Sequence, residues 1–383
     1  MWSGALENLV IDLMNFQDTF AGLRVLVTGD TGFKGSWLCE WLHLLKANVF
    51  GIGLAPSTQP ALFKQINLEK RIDHVEVDIR DASSIRNLIS VLQPDIILHM
   101  AAQALVLVSY EIPLDTYATN VMGTLNILDA VRQLDKKCAI VCVTTDKCYE
   151  NRESLHSYRE DDSMGGYDPY SSSKGACEIA IQSFRRSYFN DPQECGIALA
   201  SARAGNVIGG GDWAQDRIIP DCIRALKKKV PIPIRNKIAT RPWQHVLEPL
   251  SGYLLLAAEL WRGLNKKSPI QTRFSYEHLC SAFNFGPQLE ANRTVGNLVR
   301  EVLKHWPGEW QDCSNSDAPH EASLLNLSTD KAFHMLDWKP RWNFEEAIAN
   351  TIQWYREAEN PSSNLHEIIR NQIVDYQDLS YLR

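Results

Sequence analysis

The apolar, β-branched run Arg24-Val25-Leu26-Val27-Thr28 leads straight into Gly29-Asp30-Thr31-Gly32-Phe33-Lys34-Gly35-Ser36, and a helix-forming stretch, Trp37 to Lys46, follows. Strand, tight glycine turn and helix in that order restrict the fold sharply. The helix then aims its unpaired first-turn N–H groups at whatever lies over the turn, the usual seat of a pyrophosphate. Gly29 permits the sharp turn, Gly32 lets the backbone approach the phosphates, and Gly35 lets helix and strand pack closely. The spacing is G-x-x-G-x-x-G rather than G-x-G-x-x-G, a weak dinucleotide signal when it stands alone. Far downstream, Tyr170-Ser171-Ser172-Ser173-Lys174 adds a chemical signal to it.

Between residues 24 and 200, apolar runs alternate with longer amphipathic segments. Strands are predicted at Arg24–Thr28, Val49–Gly53, His74–Asp78, Ile96–Met100, Ala139–Thr144 and Gly196–Ser201. Helices are predicted at Lys34–Lys46, Ser83–Leu92, Pro113–Leu134 and Pro169–Tyr188. Near-continuous apolar strands separated by helices imply an α/β, Rossmann-type, doubly wound parallel sheet. Asp168-Pro169 is a good helix start, a capping carboxylate followed by proline at the first helical position. After Ser201 the pattern changes. Gly205, Gly209, Gly210 and Gly211 read as an ordered loop, and shorter elements follow at Arg217–Lys229, Ile232–Ile234, Leu247–Leu264, Ala282–Phe285 and Thr294–His305. The expected organisation is therefore an extension over residues 1–20, a dinucleotide-binding domain over 21–202 carrying the catalytic residues, and a smaller mixed lobe over 203–383. That lobe ends in a peripheral helix and tail. Met14 is an alternative start to the chain.

A net charge of −7 argues against a nucleic-acid partner. The nine cysteines form no C-x-x-C pair and several sit in apolar runs, so they read as reduced, mostly buried thiols, with no metal site expected. The N-terminus carries Glu7 and Asp12 where a secretory signal needs basic residues. The longest apolar stretches, Ile96–Tyr110 and Val246–Ala258, are interrupted by His99, Gln103 and Glu248 and are too short for a membrane span. A soluble, cytoplasmic enzyme is expected.

Tyr170 and Lys174 are four apart on a predicted helix and so share a face. An ammonium beside a phenol stabilises the phenolate, which gives a general base for a sugar or steroid hydroxyl. Thr145, just past the strand that ends Val143-Thr144, is placed to offer a hydroxyl to the same oxygen.

At these residues the chain resembles the extended short-chain dehydrogenase/reductases, the family of NAD-dependent nucleotide-sugar epimerases and dehydratases. The resemblance runs over nearly the whole length. It is sharpest to the CDP-glucose 4,6-dehydratases, through Thr28 to Trp37, Leu54-Ala55-Pro56, His99-Met100-Ala101-Ala102-Gln103, Thr145-Asp146-Lys147-Cys148-Tyr149-Glu150 and Gly165 to Tyr170. Ser201 to Trp213, which includes Asn206-Val207-Ile208-Gly209-Gly210-Gly211-Asp212-Trp213, and Arg241-Pro242-Trp243-Gln244-His245-Val246 continue it. One departure is Leu107-Val108, where an arginine is usual in the family.

The resemblance implies a redox-neutral dehydration of CDP-glucose with bound NAD: oxidation at C4, loss of water across C5–C6, and hydride return to C6. Tyr170, Lys174 and Thr145 serve the first step. Asp146 stands where the family carries the acid for the C6 hydroxyl, and Lys147 where the dTDP-glucose enzymes carry a glutamate base. A lysine there needs a depressed pKa to act as a base. An ion pair of Asp146 with Lys147 on the surface is the plainer alternative. For the cofactor, Gly53-Leu54-Ala55-Pro56-Ser57-Thr58 lacks the acid usual after the second strand, and no arginine nearby suits a 2′-phosphate, so the family resemblance decides for NAD. Beside Gly29, Thr31, Gly32, Phe33 and Gly35, the implied cofactor residues are Asp78 with Ile79, Ala101, Ala102, Gln103 and Asn120. Asp78 is alternatively a turn cap, with Asp81 a competitor, and Asn120 alternatively a structural asparagine. Asn206, Arg217 and Arg241 are the implied diphosphate ligands, with Arg235 and Arg203 weaker, because guanidinium forks bind phosphate bidentately. Ser109 and His245 complete the implied substrate set. In relatives the helices at Pro113–Leu134 and Pro169–Tyr188 form a dimer interface, so a homodimer or higher oligomer is expected. A sugar-nucleotide 4-epimerase, or a nucleotide sensor on the same fold, is the alternative.

Overall fold

Every strand of the main sheet reads as apolar on both faces, which is why it lies between two helical layers. The computed structural model describes residues 16–153, 155–266, 276–314 and 324–378. Its central sheet has seven strands, all parallel: β1 (Arg24–Thr28), β2 (Asn48–Gly53), β3 (Asp73–Glu76), β4 (Ile96–His99), β5 (Cys138–Val143), β6 (Ile197–Ala204) and β7 (Ala282–Phe285). Their order is β7-β6-β5-β4-β1-β2-β3, so the chain reverses direction across the sheet between β1 and β4. In such sheets ligands lie in the crevice beyond the carboxyl ends of the strands at that reversal.

Alternate residues feed opposite layers. Leu26, Ile97, Ile140 and Leu199 pack with α2 (Ala82–Leu92), α3 (Gly123–Val131) and α4 (Pro169–Ser187). Val25, Val27, Leu98 and Val141 face the other way, onto α1 (Phe33–Leu44) and a later helix, Leu247–Leu264. That later helix is apolar almost all round because it is buried between the sheet and the C-terminal elements.

Several elements differ from expectation. Ala282–Phe285, expected among the short pieces of the second lobe, is β7 and pairs with β6. The main sheet therefore does not respect a division at residue 202. The single helix expected over Pro113–Leu134 breaks into Pro113–Tyr117, a π-helical turn Ala118–Met122, and α3. The extra residue in the π turn swings Asn120 toward the site, a common use of such bulges. The extension expected over residues 1–20 lies mostly outside the described residues, although Phe16 and Phe20 pack edge-on to each other in the core.

Numbering the remaining long helices in order, α5 is Ile218–Lys228, α6 is Leu247–Leu264, α7 is Val295–His305, α8 is Phe344–Glu357 and α9 is Leu365–Asp378. Short strand pairs accompany them: Val207–Ile208 with Gln244–His245, Thr240–Pro242 with Asn292–Thr294, and Ile232–Ile234 with Trp310–Asp312. The last helix is anchored rather than merely peripheral. Tyr376 is fully buried and donates to Glu248, whose carboxylate also accepts the Trp342 N–H. All nine cysteines are free thiols, with Cys195 and Cys313 exposed and the rest buried. No described helix is long and apolar enough to cross a membrane.

Helix α4, which carries Tyr170 and Lys174, starts as its sequence dictates. Asp168 caps it by accepting the Ser171 N–H at 2.9 Å and the Ser171 hydroxyl at 2.6 Å, with Pro169 in the first turn. Asp168→Ala is expected to destabilise the fold by about 1 kcal/mol, the usual worth of such a cap, read as a lower midpoint in urea unfolding.

Candidate active site

The turn after β1 leaves no room for a side chain at two places. A Cβ on Gly35 would fall 2.0 Å from the Gly29 carbonyl oxygen, and one on Gly29, whose φ is +78°, would lie 2.9 Å from the Ala101 backbone. Gly32 caps α1 without any side-chain hydrogen bond, and no acidic residue stands in the first turn. The helix therefore presents bare N–H groups and an unopposed positive end to the crevice, which fits a pyrophosphate. Thr28 braces the neighbouring loop, its hydroxyl accepting the Met100 and Ala101 N–H groups at 3.0 Å each.

Other residues of the expected cofactor set surround this turn. Thr31 donates its hydroxyl to the Leu54 carbonyl at 2.8 Å. Asp78 is partly exposed, and its carboxylate is engaged by Arg80, which holds its pKa below the usual range. Ile79 is buried against Gly123. Asn120 is a bracket: Oδ1 accepts the Gln103 N–H at 2.8 Å while Nδ2 donates to the Gln103 carbonyl and to Ser173. Of its two readings, the structural asparagine is the one this geometry fits. Ala102 continues the same half-buried loop.

The carboxyl ends of β5 and β6 bring the chemistry together. Tyr170 is 8% exposed, and the Thr145 side chain, which donates to Asp146 at 2.9 Å, lies beside its phenol. Burial pushes that phenol up to about 12, with Asp146 adding to the rise and the Thr145 hydrogen bond and Arg217 opposing it. The lowering expected from Lys174 is not what the structure shows: burial dominates, because desolvating a phenolate costs more than Thr145 and Arg217 return. Lys174 is buried and reaches the Val143 carbonyl at 3.5 Å; burial lowers its pKa. Asp146 is 2% exposed and opens a single 3₁₀ turn, Asp146–Cys148. It is no surface ion pair. Burial raises its carboxyl pKa against the pull of Lys147, the Thr145 hydroxyl and Arg241. Lys147 is half-buried beside it.

Around this group stand the expected phosphate ligands. Arg217 is held by Asp212 at 3.0 Å and lies close enough to affect Tyr170. Arg241, 8% exposed, donates to the Thr240 carbonyl and acts on Asp146. Asn206 follows Gly205, where a Cβ would lie 2.8 Å from an Asp146 carboxylate oxygen. Ser109 is fully buried, its hydroxyl donating to Val106 and accepting the Tyr170 N–H, so it seats the catalytic helix.

Three expected ligands are not brought to this cluster. His245 is fully buried between Trp37 and Trp342, and burial lowers its pKa to about 3, so it is a neutral core residue. Arg235 pairs with Asp216 on the surface. Arg203 is 4% exposed and bonded to Glu178 and Tyr149. Sequence reasoning also passed over Lys34. Its ammonium donates to the Tyr253 hydroxyl at 3.1 Å, and burial lowers its pKa to about 7, helped by Arg217 and Lys174. The signal available was a lysine inside the glycine turn itself.

A family model described as GDP-mannose 4,6 dehydratase matches residues 26–351. A CDP-glucose 4,6-dehydratase of Salmonella typhimurium is 45% identical over 339 residues, covering 88% of this chain and 91% of that protein. Among solved structures, a UDP-glucose 4-epimerase of Thermus thermophilus in complex with NAD is 25% identical with a TM-score of 0.72, covering 87% of this chain and 99% of that one. A dTDP-glucose 4,6-dehydratase of Bacillus anthracis in complex with NAD is 20% identical with a TM-score of 0.69, covering 88% and 98%.

Only the phenolic oxygen is removed in Tyr170→Phe, so the variant is expected to fold and bind ligands normally. It should lose about 10²–10⁴-fold in turnover on a substrate whose hydroxyl this residue deprotonates, measured by steady-state rates against the unaltered protein.

Proposed function

The chain belongs to the GDP-mannose 4,6 dehydratase family, and from that premise we propose that it converts CDP-glucose to CDP-4-dehydro-6-deoxyglucose with NAD as its resident cofactor. The reading is supported by the 45% identity to a protein named for that activity, and one observation at the site carries it. A buried carboxyl, Asp146, with a raised pKa shares a hydrogen-bonded turn with Thr145 beside the general base. A 4-epimerase needs only the base, whereas losing water across C5–C6 needs a proton for the departing hydroxyl. A carboxyl whose burial favours the protonated form is suited to supply one.

The glycine turn, packed against the Ala101 backbone, and the uncapped start of α1 suit the pyrophosphate of a dinucleotide. Gly29, Gly32 and Gly35 with the open start of α1 would hold NAD, which would supply the acceptor for the C4 hydride and the donor for its return to C6. Tyr170 takes the O4 proton, with Thr145 fixing its oxygen and Lys174 favouring the phenolate. The 4-ketone then acidifies C5–H. Asp146 protonates the C6 hydroxyl as it leaves as water, and Lys147, next to it in the turn, is the base we assign to C5–H and the acid that returns that proton to C5 when hydride reaches C6. Arg217 and Arg241 hold the diphosphate. Deoxysugar and surface-polysaccharide synthesis is the setting that such a product fits, in the cytoplasm. A homodimer fits as well: Leu114, Tyr117 and Met122, Ile179 on α4 and Tyr188 just past its end leave apolar side chains exposed on the helical layer that carries α3 and α4.

The test is incubation with NAD⁺ and a panel of nucleotide-glucoses, reading alkali-induced ultraviolet absorbance of the 4-keto product. Absence of that product from every nucleotide refutes the assignment. Asp146→Asn is expected to spare the first hydride transfer. Reduced nicotinamide should therefore accumulate while release of 6-deoxy product falls about 10²-fold or more; an epimerase would show no such uncoupling. Lys147→Met should behave alike, and a wild-type rate in that variant would remove Lys147 as the C5 base. Light scattering at micromolar concentration should give twice the 43.4 kDa chain mass.

A further inference from the structure

The face of α4 that carries Tyr170 and Lys174 continues one turn further, to Glu178. Its carboxylate is 4% exposed and receives three donors. Thr144 donates to Oε1 at 2.5 Å, while Ser201 and Arg203 donate to Oε2 at 2.9 and 2.8 Å. Thr144 immediately precedes the Thr145–Asp146–Lys147 turn, and Ser201 and Arg203 belong to β6. One side chain thus ties the catalytic helix to both strands whose ends build the site. Lys174, one turn earlier on α4, reaches the same segment through the Val143 carbonyl.

We propose that Glu178 is a positioning residue for the dehydration: it holds the Thr144–Lys147 segment in register with Tyr170 and keeps an anion beside Lys174. This rests on the functional reading above. The charges facing Lys174 fit the role. Cys177 and Glu178 face it from its own helix, Cys142 from β5 and Cys148 from the 3₁₀ turn, and it acts on Lys34 of α1 and His99 of β4. Burial raises the pKa of all three thiols and lowers that of His99 to about 3, so these four are neutral near neutral pH. Glu178 differs. Burial pushes it up, but the Arg203 charge and the hydrogen bonds to Arg203, Thr144 and Ser201 hold it below the usual range, so it stays ionised. Lys174 loses hydration on burial and its pKa falls, with Glu178 among the groups that oppose the fall. Removing that anion therefore lets Lys174 lose its proton at lower pH.

Two variants test this. In protein labelled with ¹³C at the lysine Cε, with the Lys174 resonance assigned from Lys174→Arg, Glu178→Gln should shift the Lys174 titration down by about one pH unit. Thr144→Val leaves the Glu178–Arg203 pair in place, which keeps the fold should Glu178→Gln not purify. It should lower kcat on CDP-glucose about tenfold at unchanged KM when assayed well below its melting temperature, a split that a purely structural role would not give. An unmoved Lys174 titration, or wild-type kcat in Thr144→Val, overturns the proposal. If the unaltered protein forms no 4-keto product, the dehydratase reading falls, while the lysine titration still decides whether Glu178 supports Lys174.

Discussion

The close packing of the turn after β1 governs much of this molecule. Gly35 sits against the Gly29 carbonyl and Gly29 against the Ala101 backbone, at distances that no Cβ could share. A side chain at either place would push α1 away from β1 and β4. Its uncapped N-terminus, Lys34 and the Lys34–Tyr253 contact to α6 would move with it. Because the seven strands are parallel, their carboxyl ends all open at one edge of the sheet. The reversal between β1 and β4 parts the loops at that edge into a crevice. Dinucleotide seat and catalytic turn are thus placed by one backbone constraint and one topology.

The electrostatics of the crevice follow from burial more than from pairing. Lys34 and Lys174 are pushed toward neutrality and Asp146 toward its protonated form, because charge is costly where water is excluded. Tyr170 is pushed the same way, toward the phenol. Burial thus shifts all four groups toward their uncharged forms, the direction that suits proton exchange with a substrate. Arg217 and Arg241 remain cationic, since guanidinium does not deprotonate in proteins. An anionic diphosphate entering beside them would oppose the penalty on the lysines. Substrate binding would then favour the ammonium of Lys174 and, through it, the phenolate of Tyr170.

Legibility varied with the range of the signal. Asp168-Pro169 announced the start of α4, and the structure places the cap there. Tyr170 and Lys174 were legible because helical spacing alone puts them on one face. Asp146 was visible as a family position, but its burial, which decides between acid and surface ion pair, was not. The break at Ala118–Met122 carried no proline or paired glycines to betray it; it arises because Asn120 finds partners in Gln103 and Ser173, distant in sequence. His245 read as a ligand through the family resemblance of Arg241 to Val246, yet Trp37 and Trp342 enclose it. Lys34 and Glu178 looked ordinary one at a time, and Arg203 read as a weak phosphate ligand, since only packing shows which charges share a buried space.

By itself, then, the sequence determined the local geometry: the strand–glycine turn–helix, the capped catalytic helix with its base and lysine, and apolar strands that demand cover on both faces. Those are matters of backbone freedom, hydrogen-bond capping and hydrophobic periodicity, each set within about a dozen residues. The tertiary structure alone decided that Ala282–Phe285 closes the sheet beside β6. It also decided that Asp146 is buried against Thr145, and that Glu178 joins β5 and β6 to α4. The reason is that burial and charge pairing depend on which distant segments meet, and spacing along a chain does not carry that information.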